Sequence, residues 1–570
     1  MAGKKAFGFV RDCVEKYIPS IALAALFIIF CYQVFMRYVL RQPQAWAGEV
    51  EQSCFLWLVL LGACYAQRMK AHVTFTLLYD KLSIKGKAVV AMLGDIIIAF
   101  TAFCNILPSL HYVLGLAARH QVTTILKWPK TIVYFPYVVM IAILMPIPAG
   151  MIAACTLYFL TDGLIKGVGF GALITGAGGS LHLVAQKTIE AIFTNGTIVA
   201  VPLFIFAANV MNAGKITEYV FGTCMGLVGR FRGGLAHVNV LASLVFSGMT
   251  GSAIADASGL GKLEIDAMRK EGYDDGFSCA ITAASATIGP IFPPSIPMVV
   301  YAMLTGASVG ALFMAGMVPG VLLAVALCVY VYFVAKKRNY PRTAPPKLRD
   351  YLLYLTKSIW AMLTPVILLV GIYTGIMTPT EAGAIAGLYA LLVSFLIYRL
   401  MSWRTLKQVL VDTMKGTGSV SIMIGAASAI SFIFAKEQIG TILGNWLLSV
   451  TANKYVFLFA VNIIILILGC LVDTSVIQLV MIPILWPVAE AMGINIIHFG
   501  LIICFNMMVG LSTPPFGMCL FITSGISGTP LKDIIREIWW PIIVMLIVLA
   551  VITYIPNVVL FLPKLTGMMA

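Results

Sequence analysis

Two stretches of this chain set long apolar flanks around a density of Gly, Ser, Thr and Pro that an ordinary lipid-facing helix would not carry. The first occupies residues 247–295, opening SGMTGSAIADASG and closing IGPIFPPS. The second follows at a fixed distance. Gly289, Pro293 and Pro294 recur as Gly510, Pro514 and Pro515, each 221 positions on. The same offset carries Gly272 onto Gly493 and Ser252 onto Asp473. A proline has no N–H to give a helix, so each Pro-Pro pair forces a break. Broken backbone at membrane depth is tolerated only where protein buries it or where it lines a wet cavity. Either stretch alone reads better as a Pro-kinked helix with no ligand. Two in one register point to an internal duplication with a transporter's binding site at the breaks.

The flanks are membrane spans by composition. Of 570 residues, 61% are hydrophobic and 11% charged, and the mean hydropathy of +0.98 exceeds what a soluble chain can cover. The apolar segments are continuous rather than alternating along roughly 10-residue strands, which excludes a membrane β-barrel. A net charge of +15 then belongs to basic cytoplasmic loops and not to a nucleic-acid surface. The 12 cysteines show no CxxC pair or metal spacing, so neither a disulfide framework nor a zinc site is expected. SGLGKL (258–263) lacks both the leading Gly and the Ser/Thr of a P-loop. The histidines form no HExxH and no cluster. The chain is not expected to be an enzyme, and its energy must come from an ion gradient or a partner.

Along the chain, Lys4, Lys5 and Arg11 predict a cytoplasmic, uncleaved N-terminus. Spans are expected at 18–40, from Glu49 and Glu51 to about Arg68, and over 89–116, the last containing Asp95. The loop from Arg68 to Lys87 is basic. Residues 131–161 carry no charge; they would make one helix of about 46 Å, kinked at Pro146 and Pro148. Residues 163–195 suit a surface helix, and 201–214 a buried span and turn. Further spans are expected at 309–335, 357–375 and 381–398, the last two separated by TPTEAG. Between the first two of these, six Lys and Arg against one Asp mark a cytoplasmic loop. With one span, one re-entrant hairpin and two more spans per repeat, and two spans between repeats, the repeats are inverted. That count leaves one crossing within 131–195 unplaced.

Backbone carbonyls freed at the breaks suit a Na⁺ ion, and the adjoining half-helix N-termini attract an anion. Ser247, Thr250 and Ser252 offer hydroxyls to either, or bond back to the preceding turn. Asp256 and Asp473 balance a cation or tie down backbone. Arg269 and Lys262 either attract an anion or solvate a helix end.

These residues resemble the fused membrane component of a tripartite ATP-independent periplasmic (TRAP) transporter. Residues 1–140, with the pattern R…WAGE…W…LGA…A…H, resemble the small Q subunit. Residues 141–570 resemble the large M subunit through VPLFIFAANVM, GGLAHVNVLASLVFSGMTGSAIADASGLG, GYDDGF, IGPIFPPSIPMVVY, TPTEAG and STPPFG. The resemblance implies an all-α polytopic protein of the elevator type. Its two repeats, about 196–335 and 417–562, would carry substrate past a scaffold enlarged by a four-helix N-terminal domain. It also implies a bacterial inner-membrane protein embedded in membrane lipids. With Na⁺ co-transport it would import a small organic anion (a carboxylate, sugar acid or sulfonate) delivered by a periplasmic substrate-binding protein. Carried over by motif, one sodium site would use Ser247, Gly289, Phe292 and Pro294, and its counterpart Gly469, Gly510, Thr513 and Pro515. Substrate would lie near Ser252, Asp256, Ser295 and Asp473. Other fused members join Q to M with an extra helix; here KWPKTIVYFPY runs into ILMPIPAGM, and one kinked helix is expected to serve both. A proton-coupled or binding-protein-independent carrier is the alternative, and a passive channel the reading from another class.

Overall fold

A computed structural model describes residues 8–69, 104–143, 182–194, 196–213, 216–342, 348–438, 442, 453–515 and 517–568. These residues are nearly all helical, with isolated bridges at Val122–Pro129 and Arg232–Arg342. Among them, eight helices are long and apolar enough to cross a membrane. They are Gly8–Tyr38, Ala45–Ala66, Val309–Arg338, Tyr351–Tyr373, Pro379–Ile397, Lys454–Leu471, Thr474–Ala491 and Leu531–Tyr554. Asp95, the loop from 70 to 87, Pro146, Pro148 and residues 163–181 lie outside the described residues. So does any second crossing between 144 and 181.

The chain divides into two compact units. The first comprises Met1–Ile205, Lys407–Ile442 and Leu479–Ile484. Its first two helices pack together and bury Leu23, Leu26, Phe55 and Leu60. Close approach to the helix Trp403–Lys436 depends on small residues: a Cβ on Gly418 would lie 2.6 Å from the Ala63 nitrogen. Glu49 has a task its sequence position did not reveal. Its carboxylate accepts the N–H groups of Ile125 (2.6 Å) and Leu126 (2.8 Å) and so pins a loop distant in sequence.

The second unit comprises Phe206–Leu406, Leu443–Gln478 and Leu485–Ala570, and it holds both sets of helix breaks. In its first half the order is α1 (Gly234–Thr250), α2 (Ala253–Gly259), α3 (Gly261–Lys270), α4 (Asp275–Ser285), α5 (Ile296–Thr305) and α6 (Val309–Arg338). In the second half come α7 (Lys454–Leu471), α8 (Thr474–Ala491, shared with the first unit), α9 (Ile496–Leu511), α10 (Met518–Ser527) and α11 (Leu531–Tyr554). Adding 221 to 253 and 275 lands on the first residues of α8 and α9. After the Pro-Pro pairs the second half carries one residue more, so α5 and α6 map onto α10 and α11 with an offset of 222. Caps match too. Ser252 and Asp473 are N-caps, Asp274 and Asn495 are N-caps, and Gly272 and Gly493 share a left-handed turn at φ 81° and 71°. The duplication read from five sequence positions therefore extends from α2 through α6 onto α8 through α11, α8 spanning as one helix what α2 and α3 divide between them.

TPTEAG also acquires a local reason. Thr378 caps the helix Pro379–Leu392, Pro379 occupies its first position, and Glu381 returns its side chain to the Thr378 N–H at 2.8 Å. This reciprocal cap fixes where that span begins.

Candidate functional site

Helix α1 stops because Gly251 turns left-handed at φ 60°, its N–H closing on the Ser247 carbonyl at 3.2 Å. A β-carbon costs roughly 1–2 kcal/mol in that conformation. Here it would also lie 2.4 Å from the Pro294 carbonyl oxygen. Ser252 then restarts the chain as N-cap of α2, accepting the Ala255 N–H. The second break runs from Gly289 to Ser295 across a cis Pro293–Pro294 bond, and Ser295 caps α5 by accepting the Met298 N–H at 3.3 Å. The two breaks touch: a Cβ on Gly289 would sit 3.4 Å from the Ser252 carbonyl carbon. The N-terminal ends of α2 and α5 are thus neighbours, an arrangement that favours negative charge. Among the described residues, the carbonyls of Gly289, Phe292 and Pro294 accept no hydrogen bond.

The second half repeats this with tighter backbone contact. A Cβ on Gly510 would lie 2.6 Å from the Cα of Gly469. Asp473 caps α8 through the Ser475 N–H at 2.8 Å, and Pro514–Pro515 is cis. The Gly510 carbonyl is taken by the Thr513 N–H at 3.0 Å, and the Thr513 hydroxyl donates to Val509 at 2.7 Å. The carbonyls of Thr513 and Pro515 accept none among the described residues.

Each arm following a Pro-Pro pair docks on the opposite half. The Tyr301 hydroxyl of α5 donates to the Ile496 carbonyl at 2.9 Å, and its ring fills the notch at Gly500, where a Cβ would lie 2.3 Å away. Gln478 of α8 donates to the Pro297 carbonyl at 3.0 Å. In return Ser512 donates to the Ala283 carbonyl at 2.8 Å, and Arg269 reaches the Ser527 carbonyl at the end of α10 at 3.2 Å. Arg269 also pairs with Asp275 at 2.7 Å. Of the two readings of Arg269 from sequence, the helix-end role is therefore the one its contacts support.

Every residue singled out from sequence for the site falls in this one unit. Ser247 is buried and donates back to the Leu244 carbonyl, the second of its two readings. Ser252, Ser295 and Asp473 cap half-helices. Asp256 is 1% exposed, and neither carboxylate oxygen has a hydrogen-bond partner among the described residues. Sequence reasoning missed Gly251 and the pair Gly316 and Gly320. A Cβ on Gly316 would lie 2.3 Å from the Ile291 carbonyl oxygen, and one on Gly320 3.1 Å from Phe292. The available signal was two glycines four apart on one face of α6. His237 and His498 are buried, and His498 bonds the Ile552 carbonyl at 2.8 Å. The described cysteines are all free.

Paired helix breaks in matching halves of a polytopic helical protein define a membrane transporter. Comparison with known proteins gives the family. The model of the tripartite ATP-independent periplasmic transporter DctM component matches residues 134–558, and that of the DctQ component matches 26–156. The chain is 39% identical over 385 residues to the sialic acid TRAP transporter large permease protein SiaM of Vibrio cholerae, covering 68% of this chain and 90% of that one. It is 38% identical over 372 residues to the C4-dicarboxylate TRAP transporter large permease protein DctM of Pseudomonas aeruginosa (65% and 87%). The isethionate TRAP transporter permease protein DctMQ of Oleidesulfovibrio alaskensis is 29% identical over 607 residues, 97% of this chain and 95% of its own. Among solved structures, the YdaH transporter of Alcanivorax borkumensis matches with a TM-score of 0.54 at 14% identity, over 72% of this chain and 98% of that one, a likeness of fold. The chain belongs to the TRAP transporter family, with its DctQ and DctM components fused in one polypeptide. It is a permease and not an enzyme.

Proposed function

We propose that this protein imports a small organic anion across the bacterial inner membrane by Na⁺ co-transport, the substrate being delivered by a periplasmic substrate-binding protein. The observation that carries the reading is the matched pair of breaks. Each half of the unit brings together a helix end, a Pro-Pro turn and carbonyls uncommitted among the described residues, and the first half adds Asp256, a buried carboxylate with no hydrogen-bond partner among them. Carbonyls of this kind suit Na⁺, and the two neighbouring helix N-termini suit an anion. Ser247, Gly289, Phe292 and Pro294 would hold one sodium ion. Gly469, Gly510, Thr513 and Pro515 would hold its counterpart. Ser252, Asp256, Ser295 and Asp473 would face the substrate.

The relatives named for sialic acid, C4-dicarboxylates and isethionate support an organic acid as cargo. The reciprocal docking of α5 and α10 supports movement of the repeats as one body, as an elevator requires. In this reading the repeats are inverted and the N-terminus is cytoplasmic. The two family matches overlap over 134–156, which supports a single helix serving both Q and M.

The test is uptake of radiolabelled carboxylates, sugar acids and sulfonates into liposomes under an inward Na⁺ gradient, with and without the cognate binding protein. Accumulation that needs both is the expected result. Accumulation without the partner would end the tripartite reading, and a steady conductance without accumulation would end the carrier reading.

A further inference from the structure

Behind Asp256 lies a second buried carboxylate that the proposed transport chemistry does not use. Glu264 on α3 is 1% exposed, and its Oε1 has no hydrogen-bond partner among the described residues. Helices α2 and α3 meet at Leu260, so Glu264 stands eight residues beyond Asp256. That is roughly 12 Å along a helical path, within electrostatic range of Asp256.

Among the described residues, the ionisable groups on the surrounding helices offer no counter-charge. Cys224, on the helix Ile216–Val228, feels Glu264, and Cys519 of α10 feels Asp256. Cys279 of α4 turns to Ser527 and Thr529. His237 of α1 stacks edge-on to Phe231. Asp274 and Asp275 at the start of α4 are engaged by Arg338 and Arg269. On α3 itself Lys262 and Lys270 are exposed, and Arg269 lies 4.0 Å from Asp266. Ser243, the hydroxyl facing Asp256, is turned to Ser285 at 3.2 Å.

Two buried carboxylates with no counter-charge among the described residues resist being ionised together, because desolvation and like-charge repulsion add. A resident metal does not solve this, since no group of three metal-ligating side chains occurs among the described residues. A proton does.

We propose that Glu264 is a proton-binding group of the transport unit, holding its proton more tightly while the sodium site at the neighbouring break is empty than when Na⁺ fills it. The inference rests on the sodium-coupled reading above. Na⁺ beside Asp256 cancels the charge that opposes ionisation of Glu264. At about 12 Å and an effective dielectric near 20, that changes the affinity of Glu264 for its proton roughly tenfold. A tenfold change releases at most about half a proton for each Na⁺ that enters, and the empty unit regains it before its return. Inward Na⁺ movement is thus partly coupled to outward H⁺ movement.

The test uses the purified full chain in weakly buffered detergent solution with a pH-indicating dye. NaCl is titrated against choline chloride, and Na⁺ binding is followed independently by thermal shift. Wild-type protein is expected to release protons on Na⁺ binding. Glu264→Gln is expected to bind Na⁺ with the release reduced severalfold. Release unchanged in Glu264→Gln, or Na⁺ binding without release from the wild type, overturns the inference alone. No Na⁺ binding at all overturns the sodium reading and this inference with it. Should Glu264→Gln fail to fold, infrared difference spectra of the wild type decide. Loss of a protonated-carboxyl band on Na⁺ addition supports the assignment, and its absence overturns it.

Discussion

Gly469 and Gly510 meet backbone to backbone: a Cβ on Gly510 would lie 2.6 Å from both the Cα and the carbonyl carbon of Gly469. Neither partner can retreat, because α7 and α9 are packed along their length and Gly510 sits among fully buried neighbours. One added methyl here is overpacking, which costs about 1–3 kcal/mol. Gly510→Ala should therefore lower thermal stability in detergent and depress uptake by an order of magnitude or more. Wild-type stability and transport would show that the helices can part.

At the first break the conflict has two sources. Gly251→Ala pays about 1–2 kcal/mol for the left-handed backbone and meets the Pro294 carbonyl oxygen at 2.4 Å. Gly272 has a similar φ of 81° but open space around it. Gly272→Ala should show the backbone cost alone, and the difference between the two melting temperatures isolates the packing term.

Tyr301 connects the two halves by a hydrogen bond and by filling the Gly500 notch. Tyr301→Phe removes only the bond and should cost about 1 kcal/mol. Tyr301→Ala empties the notch and should cost about 3–5 kcal/mol. Gly500→Ala, which pushes the ring out, should resemble the alanine variant more than the phenylalanine one.

Among the described residues, Asp256 is a carboxylate at the breaks with neither a cap nor an ion pair to maintain. Asp256→Asn is expected to fold, and, by removing a negative charge near the break without removing a proposed Na⁺ ligand, should raise the half-saturating Na⁺ concentration severalfold. Asp473→Asn keeps the cap and should shift Na⁺ affinity less. Equal shifts in the two variants would argue against the assigned asymmetry.

Arg338 bridges Asp274 (2.9 Å) and Glu537 (2.7 Å), and the Tyr340 hydroxyl donates to the same Asp274 carboxylate at 2.7 Å. This clasp joins the ends of α4, α6 and α11 at a partly exposed surface. Arg338→Ala should therefore cost only about 1 kcal/mol at low salt and less at high salt. A thermal-shift series in NaCl measures the difference.

The duplication was legible in the sequence because glycine and proline act locally. A Pro-Pro pair breaks a helix wherever it stands, so Gly289–Pro294 and Gly510–Pro515 marked both sites without any knowledge of packing. Hydrophobic continuity placed the long spans for the same kind of reason. The offset then carried Ser252 to Asp473, and both proved to be N-caps. The family resemblance rested on the same motifs and agrees with the family matches.

What the chain order could not contain is which distant groups meet. Glu49 marked only the start of a span in the sequence, and its carboxylate accepts the Ile125 and Leu126 N–H groups. Arg269 offered an anion site or a helix end; its distance to the Ser527 carbonyl, 258 residues away, favours the helix end. Glu264 sat unremarked in an amphipathic segment until burial left its Oε1 without a hydrogen-bond partner among the described residues. Local covalent constraints thus determined from sequence alone that the helices break, and where. Whether a polar side chain at such a break is solvated, paired or stranded depends on long-range packing, and only the tertiary structure decided it.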